Sequence, residues 1–134
     1  MRAALAGLGL TVAAAMGLLG AQTAKPSSGV ALADLSWTEA APLLTESAVV
    51  VIPLGVAAVE HGPHLKLNNN ERLARYLAGR VQAATPVVVA PTLTYNFYPS
   101  FLDYPGSTSL SETTARDMTV DIVRGLARSG PRRF

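Results

Sequence analysis

The 134-residue sequence contains no cysteine. That excludes disulfide scaffolds, thiol nucleophiles, cysteine-bound zinc and a lipidated N-terminal cysteine. Histidine is scarce, with two in the whole chain, and charged residues make up 15 % for a formal net charge of +2. So small a positive excess is not the footprint of a nucleic-acid face, and so low a charge density disfavours disorder and coiled coil. There is no internal repeat and no glycine-rich phosphate-binding signature. What the chain does have is apolar residues, 49 % overall, and they are unevenly spread. Its length holds one domain at most.

The unevenness sits at the N-terminus. Arg2 precedes a run from Ala3 to Ala21 without a charge, and small residues follow at Thr23 and Ala24. A basic start, an apolar stretch and a small-residue end read as a signal peptide over residues 1–24, directing the protein to the periplasm or outside the cell. The alternative is an uncleaved membrane anchor, since about 20 apolar residues suffice to span a bilayer. Without that anchor no stable membrane insertion is expected. Residues 25–34 read as a linker and 35–134 as the folded domain.

Within that domain, Ser36-Trp37-Thr38-Glu39 has the spacing of a capping box, and Pro42 must end its helix early. Ala48–Leu54 is a β-branched run suited to a strand buried on both faces, and Pro86–Ala90 is a second. From Glu71 to Ala84, Leu73, Leu77, Val81 and Ala84 recur at helical spacing, with Asn69 or Asn70 placed to cap and Glu71 paired to Arg75. A further helix spans about Ser111–Arg128, capped by Ser111, with Ala115, Met118, Ile122 and Leu126 on one face. Arg132-Arg133-Phe134 has the position of a third strand's first residues. Alternating strand and helix is the pattern of an α/β fold with a parallel sheet. Its ligand site is expected where the loops after Leu54 and Ala90 meet at the carboxyl edge.

Both histidines lie in Glu60-His61-Gly62-Pro63-His64-Leu65, on the first of those loops. A carboxylate and two imidazoles within five residues suit zinc, manganese or iron, and equally a surface turn bent by Pro63. The segment Tyr95-Asn96-Phe97-Tyr98 on the second loop suits a small-molecule pocket, a subunit contact or a simple cover for the sheet edge. Arg124, Arg128, Arg132 and Arg133 read as a solvated cluster.

Longer strings are more specific. Val51-Ile52-Pro53-Leu54-Gly55, His61-Gly62-Pro63-His64-Leu65 and Tyr104-Pro105-Gly106-Ser107-Thr108-Ser109-Leu110-Ser111 together resemble the creatininase (creatinine amidohydrolase) family. The resemblance covers about residues 49–134. It implies a three-layer α/β/α domain with a mainly parallel sheet, often oligomeric. It also implies a metal-dependent amidohydrolase, in which two zinc or manganese ions activate water against a cyclic or linear amide C–N bond of a small molecule. Carried over residue by residue, His61 matches a metal ligand and Glu60 lies beside the slot of the ligand glutamate, which is Val59 here. A bulge at Ala57-Ala58 would bring Glu60 into place. Asn70 falls where the family has a bridging aspartate, and His64 matches a group that supports the ligands from behind. Tyr95, Phe97 and Tyr98 are the substrate-pocket candidates, and no catalytic residue is assigned.

The family's pattern continues with an Asn-Gly-His strand, which would begin at Arg132-Arg133-Phe134. The expectation is therefore an incomplete domain, inactive as this chain alone. The competing readings are a non-catalytic exported α/β binding module and a truncated gene fragment.

Overall fold

A computed structural model describes residues 28–134. The N-terminal segment 1–24, expected to be a signal peptide or anchor, lies outside the described residues. Among those described, no helix is long and apolar enough to cross a membrane.

The sheet is built from three short parallel strands, β1 (Val30–Ala31), β2 (Val50–Val51) and β3 (Val88–Val89), in the order β1-β3-β2. Val88 stands opposite both Val30 and Val50, and Val89 opposite Ala31 and Val51. Single parallel bridges extend the pattern, Leu54 to Leu93 at one end of β2 and Val49 to Arg133 along its other edge. Arg133 therefore lies beside β2, as the position of a following strand requires, and its carbonyl accepts the Val50 N–H at 2.9 Å.

β1 corrects the sequence reading. Within the stretch 25–34, expected to be a linker, the described residues 28–34 supply an edge strand and then a 3-10 turn over Leu32–Asp34. Two residues are too few to show strand periodicity in a sequence. Pairing with β3 makes them a strand, with the Val30 N–H donating to the Val87 carbonyl at 2.9 Å.

Three helices form, the first and third on side-chain caps. In α1 (Trp37–Ala40) the Ser36 hydroxyl accepts from the Glu39 N–H, and the Glu39 carboxylate accepts from the Ser36 N–H at 2.8 Å. The helix ends ahead of Pro42, as an interior proline demands. In α2 (Asn69–Ala84) the capping position is Asn68, and its side chain makes no capping bond. Asn69 and Asn70, expected as caps, are the first helical residues, so the helix starts earlier than its apolar pattern suggests. Glu71 and Arg75 pair at 2.8 Å. In α3 (Glu112–Ala127) the Ser111 hydroxyl accepts from the Thr114 N–H at 3.2 Å.

The sheet is covered on both faces, so the domain has three layers. On one face Val50, Val88 and Ala90 pack with Val30, Leu32, Leu43, Leu44, Ile52 and Leu126 of α3. On the other, Val87 and Val89 pack with Val49, Val51 and Ala78 of α2. Alternating strand residues feed the two clusters, which is why the valine runs read as buried on both sides.

The face of α2 that meets the sheet differs from expectation. Leu73, Leu77 and Val81 are 51 %, 52 % and 41 % exposed, whereas Ala78 is buried. Small Ala78 lets the helix approach the sheet. Leu77 sits one position away, about 100° around the helix, and Leu73 lies on that same side.

Candidate functional site

The chain leaves β2 along a path set by Gly55. Its N–H donates to the Leu93 carbonyl at 3.0 Å, and the next residues turn in against the first turn of α2. The Glu71 N–H donates to the Val56 carbonyl at 3.2 Å, so an orphan donor at the helix start is satisfied by this loop. Val56 and Val59 are buried, the latter completely. They anchor the loop in a stretch whose sequence shows no periodicity. A bend falls at Ala57-Ala58. Val59, at the slot where the resemblance places a glutamate, is therefore a core side chain.

Beyond Val59 the chain makes a tight turn that carries Glu60 and His61. Gly62 has φ +85°, a left-handed conformation that an L side chain adopts only with strain. The Glu60 carboxylate accepts the Gly62 N–H and so closes the turn on itself. His61 is half-buried, and its Nε2 is a buried nitrogen without a hydrogen-bond partner among the described residues. A buried, unpartnered imidazole nitrogen is costly unless something fills its valence. His64 is exposed, and its ring lies over Gly62, where a Cβ would come within 3.1 Å of it.

The second loop grips the first. The Ser107 hydroxyl accepts the Glu60 N–H at 3.0 Å, and the Thr108 N–H donates to the Ala58 carbonyl at 2.9 Å. The same loop is laced internally: the Tyr98 N–H donates to the Ser109 hydroxyl at 2.7 Å, and the Leu110 N–H to the Asn96 carbonyl at 3.0 Å. Ser107 and Thr108 belong to one of the strings quoted for the resemblance, yet no local pattern singles them out. Their partners lie 47 and 50 residues away in the chain, at Glu60 and Ala58.

Asn70 sits in the first turn of α2 and lines an open groove of about 340 Å³ with Leu54, Leu73, Leu77, Asn96, Phe97 and Tyr98. Phe97 and Tyr98 thus reach a concave surface, while Tyr95 is 53 % exposed and does not line it. Tyr98 stacks on Phe101 with ring centroids 5.3 Å apart. Glu60 and His61 do not line the groove either. The structure therefore groups Glu60, His61 and Ser107 around the turn, and Asn70, Phe97 and Tyr98 around the groove beside it.

The donor set partly fits a divalent cation. His61 offers a buried, unpartnered nitrogen and Glu60 a carboxylate one residue away, and both suit zinc or manganese as two of its ligands. Asn70 offers a neutral oxygen only. No group of three His, Cys, Asp or Glu side chains that could hold a metal exists among the described residues. The arginines expected as a solvated cluster are largely that. Arg124 is 3.9 Å from Asp121 at the surface, and Arg132 donates to the Ala127 carbonyl at 2.9 Å, at the end of α3.

The family profile described as creatininase, creatinine amidohydrolase, matches residues 33–134. The creatinine amidohydrolase of Pseudomonas putida is 32 % identical over 114 residues, covering 81 % of this chain and 44 % of that protein. A tryptophan-to-alanine mutant creatininase superposes with a TM-score of 0.67 at 29 % identity, covering 78 % of this chain and 43 % of that one. A manganese creatininase gives 0.64 at 28 % identity, over 78 % and 43 % of the two chains. A glutamate-to-glutamine mutant of the Zn-Zn type gives 0.63 at 28 %, over 80 % and 43 %. The chain spans under half the length of the relatives it matches.

Proposed function

The chain belongs to the creatininase family, and from that premise we propose that it contributes to a metal-dependent amidohydrolase site acting on the C–N bond of a small cyclic or linear amide. The observation that carries this reading is the buried, unpartnered Nε2 of His61 on a turn beside a carboxylate, at the carboxyl edge of a parallel sheet. Solved relatives include manganese and Zn-Zn forms, which supports zinc or manganese as the ion. The chemistry a bound divalent ion supplies is a lowered water pKa and a polarised carbonyl.

This chain's own residues have narrower tasks. His61 offers Nε2 as a ligand, and Glu60 offers the carboxylate oxygen that the Gly62 N–H does not use. His64 packs over the turn and shields it. Phe97 and Tyr98 supply apolar surface for a small substrate next to Asn70, and Asn70 and Asn96 add polar groups for orienting an amide. Two protein ligands fall short of the three that a catalytic zinc site uses, so the described residues form part of a site. By this reading the chain alone hydrolyses amides weakly or not at all.

The test is metal binding. Zinc titrated into the full chain is expected to bind, and His61→Ala to abolish binding. Asn70→Asp restores a charged oxygen at the family's aspartate position and is expected to tighten binding by about tenfold or more. Zinc bound equally by the unsubstituted chain and His61→Ala defeats the proposal. A non-catalytic binding module is the second reading, favoured by neutral Asn70 and the absence of a three-residue ligand group among the described residues. Export to the periplasm or beyond is part of the proposal. It rests on Arg2 and the uncharged run Ala3–Ala21, and mass analysis of the mature N-terminus tests it. For the intact domain, assembly into a homo-oligomer is likewise proposed, and light scattering on that domain tests it.

A further inference from the structure

We propose that Ser107 is a positioning residue for His61: its hydroxyl holds the Glu60 backbone and thereby fixes the turn that presents the imidazole. The inference rests on the reading of Glu60 and His61 as metal ligands and adds the group that aims them.

Two clamps bound the turn. On its inner side the Glu60 carboxylate takes the Gly62 N–H, which fixes the residues on either side of His61. On its outer side the Ser107 hydroxyl takes the Glu60 N–H at 3.0 Å. Ser107 is itself held, because its backbone N–H donates to the Tyr104 carbonyl at 3.0 Å across a turn containing Gly106, with φ +86°. Next to it, Thr108 donates both its N–H and its hydroxyl to the Ala58 carbonyl, at 2.9 and 3.3 Å. One short segment of the second loop thus bonds to the first loop on both sides of fully buried Val59. The Glu60 N–H is part-buried, so losing its acceptor leaves a donor that only a rearranged turn or an inserted water can satisfy. Either outcome swings His61, whose Nε2 has no partner among the described residues to hold the ring in place.

The experiment uses the full 134-residue chain with Ser107→Ala, Ser107→Thr and Ser109→Ala. Ser109 is the control, because its hydroxyl ties the same loop at Tyr98 without touching Glu60. In the metal-free protein, Ser107→Ala is expected to lose exchange protection at the Glu60 amide and to shift the His61 ring resonances. Ser107→Thr and Ser109→Ala are expected to keep both. With zinc as the probe, Ser107→Ala is expected to bind about 10- to 100-fold more weakly, the usual cost of removing a group that orients a ligand. Ser107→Thr is expected to restore most of that affinity. Unchanged Glu60 protection and His61 resonances in Ser107→Ala overturn the proposal, whatever zinc does. Failure of the unsubstituted chain to bind zinc counts against the metal reading alone, and the metal-free resonances then decide the positioning role. If Ser107→Ala fails to fold, Ser107→Thr decides: retained Glu60 protection supports the role, and lost protection overturns it.

Discussion

At Gly55 the loop leaving β2 passes so close to α2 that a side chain has nowhere to go. A Cβ there would meet the Ala74 Cβ at 2.7 Å and the Asn70 carbonyl oxygen and Glu71 Cα at 2.8 Å. Two of those neighbours are backbone atoms and cannot rotate away. Gly55→Ala is therefore expected to lower stability by about 1–3 kcal/mol in a denaturant titration, through overpacking. The contrast is Gly79, in the middle of α2, with nothing among the described residues within 4 Å of its notional Cβ. Gly79→Ala is expected to raise stability by about 0.5–1 kcal/mol, from helix propensity alone. The same measurement reads both. A neutral Gly55→Ala would show that α2 does not lie against the loop as described, and a destabilised Gly79→Ala that the helix surface at Gly79 is not open.

At the scale of the element, α1 and α2 show different limits of pattern reading. The Ser36–Glu39 capping box is local, four residues wide, and forms as its spacing dictates. Hydrogen bonds from the Ser36 side chain and then its backbone hold the Glu39 carboxyl below its ordinary range. A carboxyl depressed in the folded state adds stability that is present above its unfolded value and lost as pH falls through the folded one. The Ser36 amide resonance is expected to report that loss in an acid titration, and Glu39→Gln to flatten it. In α2 the helix itself was legible but its buried face was not. Hydrophobic spacing selects Leu73, Leu77 and Val81, while packing selects Ala78, because only a small residue lets helix and sheet close up. Leu77→Gln is expected to change stability by less than about 0.5 kcal/mol, as a surface substitution does. Ala78→Leu is expected to cost about 1–3 kcal/mol by overpacking. Thermal unfolding of the two variants side by side checks the assignment.

At the scale of the whole molecule, the two loops at the carboxyl edge belong to the same cooperative unit as the sheet. Val59 is fully buried, the Thr108 and Glu60 amides donate across the loops, and the Gly55 and Leu93 amides continue the ladder from β2. Amide exchange is expected to protect Val59, Glu60 and Thr108 to a degree comparable with Val88 and Ala90, since opening either loop exposes core. Rapid exchange at Thr108 beside slow exchange at Val88 would separate the loops from the core and weaken the case for a pre-formed turn. The groove beside Asn70 has the opposite character. Its apolar lining, Leu54, Leu73, Leu77, Phe97 and Tyr98, is open to solvent in a chain spanning 44 % of its Pseudomonas putida relative.

Local pattern alone establishes the alternation of strand and helix, the caps of α1 and α3, and the strings that mark the creatininase family. These signals are written in neighbouring residues or in one helical period. Pattern also brings Glu60 and His61 forward, because rare residue types clustered on one loop stand out. Folding is what makes Val30–Ala31 a strand, puts Ala78 rather than Leu77 against the sheet, and buries Val59. Folding likewise joins Ser107 to Glu60 across 47 residues of chain. The reason is common to all of these: a short strand, a packing distance and a hydroxyl's partner are properties of what another segment brings alongside. No spacing within one segment records them.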